Sequence, residues 1–412
     1  MIHRQITNRI RMALRDMPVV IVTGARQVGK SHLVKSLITR KFNPQYLTMD
    51  RTATYRMAKD DPDGFINGLA LPVIIDEVQM VPALFRSIKA RVDQERKPGM
   101  FLLTGSANIM VIPKASESLA GRMETIRLMP FSQDEINSLP AARFIDMLLK
   151  QRLSAKPGNI TKEQISRALV YGGYPVPLLQ IHKQRWQLWF QSYIDSLVQR
   201  DVRDISQIEH LHLMPRLLAL IAARSGTMMN TEELSRSVGI PTTTLKRYLT
   251  LLEAVHLVLP LQAYARNYSK RVTRTPKIFL NDSGLMTALL NFDAQSISRM
   301  EHVFGQVLET FVGMELLKQM GWSNTHYRLY YYRTHAGAEV DFVAETSRGI
   351  VGIEVKATTN IGRNDFRGLD SLAEEVGKDF VRGVILYLGS DVVPRSANRH
   401  AIPLTNLWQN SG

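Results

Sequence analysis

The sequence predicts an α/β protein made of two α/β units with a helical stretch between them. Three observations predict this. Apolar strand runs alternate with helical segments over residues 18–110. From about Phe131 to about Ala254 the pattern is helical. From Glu301 it returns to helix, three strands, helix and strand. Strands separated by helices are the pattern of a parallel sheet.

The first unit opens with "PVVIVTG" (18–24), a buried strand run, followed by the helical "SHLVKSLITRKF" (31–42). "QYLTMD" (45–50), "LPVIIDEV" (71–78) and "MFLLTGS" (100–106) are three further strands, with the helix "VPALFRSIKARVDQ" (81–94) between the last two. Between the first strand and its helix lies "GARQVGKS", Gly24–Ser31, which matches G-x-x-x-x-G-K-[ST] in the strand–loop–helix setting that the motif requires. The candidate nucleotide-binding residues are Gly24, Ala25, Arg26, Gln27, Val28, Gly29, Lys30, Ser31 and His32. Their backbone N–H groups can turn toward phosphate oxygens, and the helix N-terminus adds a favourable dipole. Lys30 is placed to reach the β- and γ-phosphates and Ser31 to ligate Mg²⁺.

"VIIDE" ends its strand in two acids, at the sheet edge where α/β proteins hold ligands. Asp76 is expected to hold Mg²⁺, and Glu77 to polarise the attacking water. Ser106 or Thr104 of "LLTGS" is a candidate sensor of the γ-phosphate. Arg122, after a glycine in "LAGRMETIRLMPFS" (119–132), is a candidate to act on a neighbouring subunit's nucleotide. A homo-oligomer and an ATP/Mg²⁺ requirement follow from these expectations.

The chain has 412 residues, 45% hydrophobic and 22% charged, which fits two or three domains and excludes a disordered chain. With no cysteine, a disulfide framework and a thiolate zinc site are excluded. A net charge of +15 points to a polyanionic partner, DNA foremost. No run approaches the roughly 18 apolar residues of a membrane span. "MIHRQITNRIRMALRDMP" lacks the apolar core of a signal peptide and reads as an amphipathic helix through Ile6, Ile10 and Leu14. A cytoplasmic protein without membrane contact is expected.

Within the helical stretch, "PRLLALIAARSG" (215–226), "NTEELSRSVG" (230–239) and "IPTTTLKRYLTLLEA" (240–254) are three helices with short turns, the pattern of a helix-turn-helix. Thr242, Thr243, Lys246 and Arg247 are expected to face a DNA groove. Between Glu253 and Asp282 the charged residues are Arg266, Lys270, Arg271, Arg274 and Lys277, with no acid. That stretch is expected to form a wing, with Lys270, Arg271 and Arg274 on phosphates. A pure packing role is the alternative.

In the second α/β unit, "AEVDFVAE" and "GIVGIEVKA" are expected to pair as a hairpin through the turn "TSRG". Asp341 sits mid-strand. Glu354 and Lys356 are two apart and share a strand face. Glu309 lies on the preceding helix, Glu339 shares a strand face with Asp341, and Glu315 is a second helical acid. Strand-centre carboxylates are costly unless paired or metal-bound. Glu309, Asp341 and Glu354 are therefore candidate Mg²⁺ ligands, and Lys356 a group to orient a water for phosphodiester attack. An internal ion-pair cluster, with Arg333 for example, is the alternative.

"GARQVGKS", "YLTMD", "IIDEVQ", "LLTGS" and "LAGRMETIRLMPFS", followed by "YGGYP" (171–175), "LNDSGLMTALL" (280–290), "GQVLETFVGMEL" (305–316), "YYYRTHAGAEVDFV" (330–343) and "IEVKAT" (353–358), resemble a prokaryotic group of AAA+ superfamily ATPases. The resemblance implies an ATPase core at residues 1–130, a helical lid at 131–210, a winged helix at 211–295 and a restriction-endonuclease-like PD-(D/E)XK domain at 296–412. It implies nucleotide roles for Gly29, Lys30, Ser31, Asp76 and Glu77, and a nuclease motif of Asp341, Glu354 and Lys356 with Glu309. No second sensor arginine is legible in the lid. The expected function is ATP-hydrolysing DNA processing with a Mg²⁺-dependent nuclease-like domain. A non-cleaving DNA-binding switch and a protein-remodelling ATPase are the alternatives.

Overall fold

A computed structural model describes residues 2–106, 119–179, 182, 185–198 and 211–409. The first sheet has five strands: β1 (Val19–Thr23), β2 (Gln45–Thr48), β3 (Val73–Asp76), β4 (Phe101–Gly105) and β5 (Met123–Arg127). Their order is β2-β3-β4-β1-β5, and every pairing is parallel. The run Val19–Val22 is buried on both faces. Its alternation sends Val19 and Ile21 toward the helix Leu84–Glu95, and Val20 and Val22 into a core shared with the rest of the chain. The crossover places the loop Gly24–Gly29 at the C-terminal edge of the sheet, where the helix Lys30–Ser36 begins.

In the middle of the chain, helices Met214–Ala222, Thr231–Val238 and Thr242–Ala254 pack together. The second of them starts on an Asn230 cap and ends at Gly239, whose φ of 86° favours glycine. Three short antiparallel strands, β6 (Thr227–Met228), β7 (Val258–Leu261) and β8 (Lys277–Leu280), join in the order β6-β8-β7. The basic stretch between β7 and β8 contains a short helix, Tyr268–Thr273.

The third sheet has six strands: β9 (Tyr327–Arg333), β10 (Glu339–Thr346), β11 (Gly349–Lys356), β12 (Phe380–Tyr387), β13 (Val393–Ser396) and β14 (Arg399–Pro403). Their order is β13-β14-β12-β11-β10-β9. β10 and β11 form the hairpin, whereas β11 runs parallel to β12 and β12 to β14. The helix Glu301–Gln319 covers one face, with Val307, Leu308 and Phe311 in the same core as Phe342 and Ile353. The helix Arg367–Val376 covers the other, with Leu369 and Leu372 packed with Val340 and Ile385. β13 and β14 are additions that strand patterning did not reveal. Proline and charged residues in "VPRS" and "RHAIP" hide them, and β13 is an exposed edge strand.

Residues 131–150, expected in a lid, are fastened to this last unit. Glu315, fully buried, accepts from Gln133 N at 3.0 Å and from Lys318 Nζ at 2.8 Å, and Lys318 also donates to Phe131 O at 2.9 Å. Arg382 donates to Leu148 O and Lys150 O, both at 2.9 Å. Asp146 accepts from Asn324 N at 2.8 Å and Thr325 N at 2.9 Å. Glu315 therefore serves as a buried polar anchor rather than as part of the strand-centred acid set.

Candidate nucleotide cleft and C-terminal acid cluster

The phosphate loop cannot accept side chains at its first glycine. Gly24 has φ 153°, and a Cβ there would stand 2.1 Å from Leu128 O. Gly24→Ala is expected to displace the loop and lower nucleotide affinity at least about tenfold, as the close approach costs more than about 1 kcal/mol; isothermal titration with ADP checks this. Lys30 is buried and donates to Gly24 O and Ala25 O, both at 3.0 Å, so its ammonium lies inside the loop.

Asp76, 2% exposed at the end of β3, accepts from Thr104 Oγ1 and, at 2.5 Å, from Tyr46 OH. Burial and the Asp76 carboxylate push the Tyr46 phenol well above its usual range. Glu77 follows in a left-handed conformation, φ 57°, and its N–H donates to Thr104 Oγ1 at 3.1 Å. Thr104 thus fixes both acids and does not face a ligand freely. Gln79 Nε2 donates to Glu77 Oε2 at 2.5 Å and to Ser106 Oγ at 3.1 Å, which links the two ends of β3 and β4. Ser31 and Asp76 are the residues that would hold Mg²⁺, an oxygen-seeking ion suited to a hydroxyl and a carboxylate.

A cleft of about 790 Å³ lies over the loop. Arg26, Gln27, Val28, Gly29, Ser31 and His32 line it, together with Asp50 and Glu77. Two further groups of lining residues escaped the sequence reading. One is the N-terminal segment with His3, Arg4, Thr7 and Arg11; the other is Pro175, Val176 and Leu179. Arg4 lies 4.4 Å from the Phe131 ring centroid and 3.5 Å from Glu135. The signal for the second group was present in "YGGYP", whose Pro175 side chain reaches within 4.0 Å of where a Cβ at Gly29 would stand.

An aromatic cluster holds that segment. Tyr174 is fully buried among Trp189, Phe190 and Tyr193, with ring centroids 5.1–5.7 Å away. Its hydroxyl lies 3.1 Å from Tyr193 OH and accepts from Asn281 Nδ2 at 2.9 Å; Tyr193 OH donates to Arg26 O at 3.3 Å. Asp282 accepts from Gly173 N at 2.7 Å and Leu285 N at 3.0 Å, so one buried carboxylate ties the turn to β8 and caps the next helix. Asp282→Ala is expected to cost about 2–4 kcal/mol of stability, since two buried N–H groups lose their partner; urea unfolding measures it.

Arg127, at the end of β5 beside Thr23, is a half-buried cation near this edge that sequence reasoning missed; desolvation lowers its pKa to about 10 against the opposing pull of Glu253. His256, 5% exposed, is held neutral: burial first, then the Arg127 and Lys30 charges, lower its pKa to about 2. A depressed histidine contributes stability above its unfolded pKa of about 6.5, and this is lost as pH falls below that value. His256→Gln is therefore expected to flatten the fall of Tm between about pH 6.5 and 5; differential scanning calorimetry across that range checks it.

Arg122 lies at the opposite edge of the sheet from the phosphate loop, where Val19 N donates to its carbonyl at 3.2 Å. It cannot reach its own nucleotide, and its guanidinium pairs with Asp93 at 2.5 Å.

On the helix Thr242–Ala254, Thr243, Lys246 and Arg247 are exposed, and Thr242 is half-buried with its hydroxyl 3.3 Å from Ser235 Oγ. The expectation that Arg271 contacts phosphates is corrected. Arg271 is 5% exposed, forks onto both Glu345 oxygens at 2.7 and 2.8 Å, and packs over the Tyr264 and Tyr330 rings. Such a guanidinium is an internal clamp, unavailable to phosphates. Arg274 is half-buried, 3.3 Å from Arg333 O. The Lys270 side chain lies outside the described residues. Lys277, the last of the basic run, is buried at the start of β8.

In the C-terminal unit, Glu309, Glu339, Asp341, Glu354 and Lys356 come together. The β10–β11 register pairs Phe342 with Ile353, which sets Asp341 beside Glu354. A register shift between Val340 and Val343 bends β10 at Asp341. Asp341 Oδ2 accepts from Val355 N at 2.8 Å. Lys356 Nζ donates to Glu354 Oε1 at 2.9 Å, whereas Glu354 Oε2 is buried without a partner. Burial and then the Asp341 charge push Glu354 up to about 8; Glu309 rises to about 8 for the same two reasons.

The expected metal set needs correction here. Lys277 Nζ stands 2.8 Å from Glu309 Oε1, 2.7 Å from Glu339 Oε1 and 3.8 Å from Asp341 Oδ1. Burial would lower its pKa, but these acids outweigh burial and raise it. Among the described residues, no three acids or imidazoles converge as metal ligands do. Glu309 is an ion-pair partner of a lysine from another unit, and as folded the acids do not form a three-carboxylate metal seat. Sequence spacing could not show this, because Lys277 lies 32 residues before Glu309 in a segment that reads as a basic wing.

A glycine-rich loop on a parallel sheet, with Lys30 inside it and paired acids on a nearby strand, defines an ATPase of the AAA type. Residues 16–137 match the family model described as an AAA domain, and residues 162–296 and 304–407 match two models described as domains of unknown function. Two uncharacterized proteins, of Mycobacterium bovis and Mycobacterium tuberculosis, are each 30% identical over 402 residues, 97% of this chain and 83% of theirs. The chain belongs to one family with them. Among solved structures, a Walker-type ATPase of Pyrococcus abyssi aligns over 70% of this chain and 96% of its own, at 13% identity and a TM-score of 0.44. Among the described residues, no helix is long and apolar enough to cross a membrane.

Proposed function

We propose that this ATPase acts on DNA, using the middle unit to bind it and the C-terminal acid cluster for cation-dependent phosphodiester chemistry. The observation that carries the reading is the meeting of Glu309, Asp341, Glu354 and Lys356 at one place, from one helix and two adjacent strands. Glu354 keeps a buried, unpartnered oxygen there, a group that needs a cation or a proton. The three helices and the β6-β8-β7 sheet support a winged helix-turn-helix, with Thr243, Lys246 and Arg247 exposed on its last helix. The net charge of +15 supports a polyanion.

At the nucleotide cleft, the loop N–H groups and Lys30 take the phosphates, Ser31 and Asp76 the magnesium ion, and Glu77 orients water. Gln79 donates to Glu77 Oε2 and steadies the carboxylate at the wall of the cleft. Arg122 faces away from its own nucleotide, which suits action across a subunit boundary in a homo-oligomer; there it must leave Asp93. Arg122→Ala is expected to leave ATP affinity unchanged and lower turnover only at protein concentrations that support assembly, as read from ATPase rate against concentration.

A second reading, a DNA-binding switch that does not cut, is favoured by one observation: Lys277 already pairs with Glu309 and Glu339. Gel-shift and cleavage assays on duplex, single-stranded and branched DNA, with Mg²⁺ or Mn²⁺ and with or without ATP, separate the two. Cleavage by wild type and none by Glu354→Gln supports the first. Binding without cleavage supports the second, and no binding at low salt removes both.

A further inference from the structure

The phosphate loop touches a side chain that the ATPase sheet and its helices do not supply. Tyr193 comes from the helix Trp186–Leu197, in the helical stretch between the two α/β units. It is 2% exposed, and its ring stacks on Trp189 with centroids 5.2 Å apart and planes 7° from parallel. Stacking fixes the ring, so the hydroxyl has a set position. It donates to Arg26 O at 3.3 Å. A tyrosine hydroxyl has one hydrogen to donate. Tyr193 places it on Arg26, so Tyr174 is the donor across the 3.1 Å contact between the two hydroxyls. Tyr174 in turn accepts from Asn281 Nδ2 at 2.9 Å. One directed chain thus runs from the end of β8, through two buried tyrosines, to the phosphate loop.

The last bond of the chain falls on a peptide that needs holding. Gln27 has φ 63°, a left-handed conformation uncommon for a residue with a Cβ. The Arg26–Gln27 peptide is trans, so its C=O and N–H point in opposite directions. Arg26 and Gln27 line the nucleotide cleft, and Tyr193 does not. With Arg26 O turned to Tyr193, the Gln27 N–H is turned away from it, to the cleft side. At 3.3 Å the contact is long for a hydroxyl donor. A phosphate oxygen that accepts from Gln27 N–H polarises the same peptide, and hydrogen bonds at its two ends strengthen one another. Tyr193 therefore holds the loop more firmly with phosphate bound than without it.

We propose that Tyr193 is a positioning residue of the ATPase, whose hydroxyl sets the Arg26–Gln27 peptide so that the Gln27 N–H meets a phosphate oxygen of the nucleotide. The proposal rests on reading Gly24–Ser31 as the phosphate seat. It gives the helical stretch a part in nucleotide binding, because the loop's geometry depends on a hydroxyl about 167 residues further along the chain.

The test is calorimetric titration of the whole chain with ADP, beside thermal unfolding and amide hydrogen exchange of residues 24–29 with ADP bound. Tyr193→Phe keeps the stacked ring and removes one hydroxyl. It is expected to lower ADP affinity about three- to tenfold, the range of one net hydrogen bond. Loop exchange should speed up, while Tm stays within a few degrees of wild type. Tyr174→Phe is the control. It strips the Asn281 amide of its acceptor and is expected to lower Tm further, yet ADP affinity should stay within about twofold, because Tyr193 keeps its donor. Unchanged ADP affinity or unchanged loop exchange in Tyr193→Phe overturns the positioning role. So does an equal loss of affinity in Tyr174→Phe, which would trace the effect to the packing of the aromatic cluster. Absence of ADP binding by wild type overturns the phosphate seat itself, and the positioning role with it.

Discussion

Lys30→Ala will lower ATP turnover by roughly 10²–10³-fold or more, the scale expected when one preorganised charge is removed from a phosphate site. The ammonium is inside the loop, bonded to Gly24 O and Ala25 O, so it is poised over the positions the phosphates take. Alanine removes the charge and leaves the backbone N–H groups. Binding should therefore weaken while the fold holds, because the residue opens a helix by its backbone and not by its ammonium. Glu77→Gln provides the contrast. It keeps the hydrogen-bonding shape next to Gln79 and Ser106 but cannot polarise water, so ATP affinity should stay within a few-fold while turnover falls about 10²-fold or more. A steady-state ATPase assay with nucleotide titration separates the two. Full turnover in Lys30→Ala would place hydrolysis elsewhere.

On the proposed function, Asp341→Asn combined with Glu354→Gln is expected to remove the cation-dependent DNA cleavage assigned to the cluster and leave ATPase rate within about twofold. Both substitutions preserve shape. The amide introduced at Asp341 would keep an oxygen for Val355 N, and the one introduced at Glu354 an oxygen for Lys356, so the sheet should stay paired. What is lost is the Asp341 charge, 3.8 Å from Lys277, and the Glu354 charge beside Lys356, while Glu309 and Glu339 still hold Lys277. The variant should also be more stable at neutral pH than charge counting on the surface suggests. Glu354 is pushed up to about 8 by burial and by Asp341, and such a raised acid costs stability as pH rises above its unfolded value of about 4.3. Cleavage that persists in the double variant would locate the activity outside this cluster.

The nucleotide half of the molecule was legible because its chemistry is local. Gly24–Ser31 are contiguous, Asp76 and Glu77 adjacent, and the parallel sheet needed only the alternation of apolar strands and helices. The cleft's other walls were not legible as such. His3, Arg4 and Pro175 line it, and Pro175 is held there by the packing of Tyr174 and Tyr193 near the loop, where Tyr193 bonds Arg26 from 167 residues along the chain. The acid cluster was half legible. The spacing of Asp341 and Glu354 follows from a hairpin, whose register is set by short-range pairing.

The basic run before Asp282 shows the limit. Composition alone gives Arg266, Lys270, Arg271, Arg274 and Lys277 one character, and a solvent-facing wing is the economical reading. The fold divides them. Arg271 closes on Glu345 and Lys277 on Glu309 and Glu339 because β7 and β8 lie against the C-terminal unit, where buried carboxylates need counter-charges. By itself the sequence determined the ATPase class, the phosphate loop and the identity of the acids, since each rests on neighbours in the chain or on strand parity. Only the tertiary structure decided which cations those acids hold, because charge pairing across units depends on distances in space that no spacing along the chain encodes.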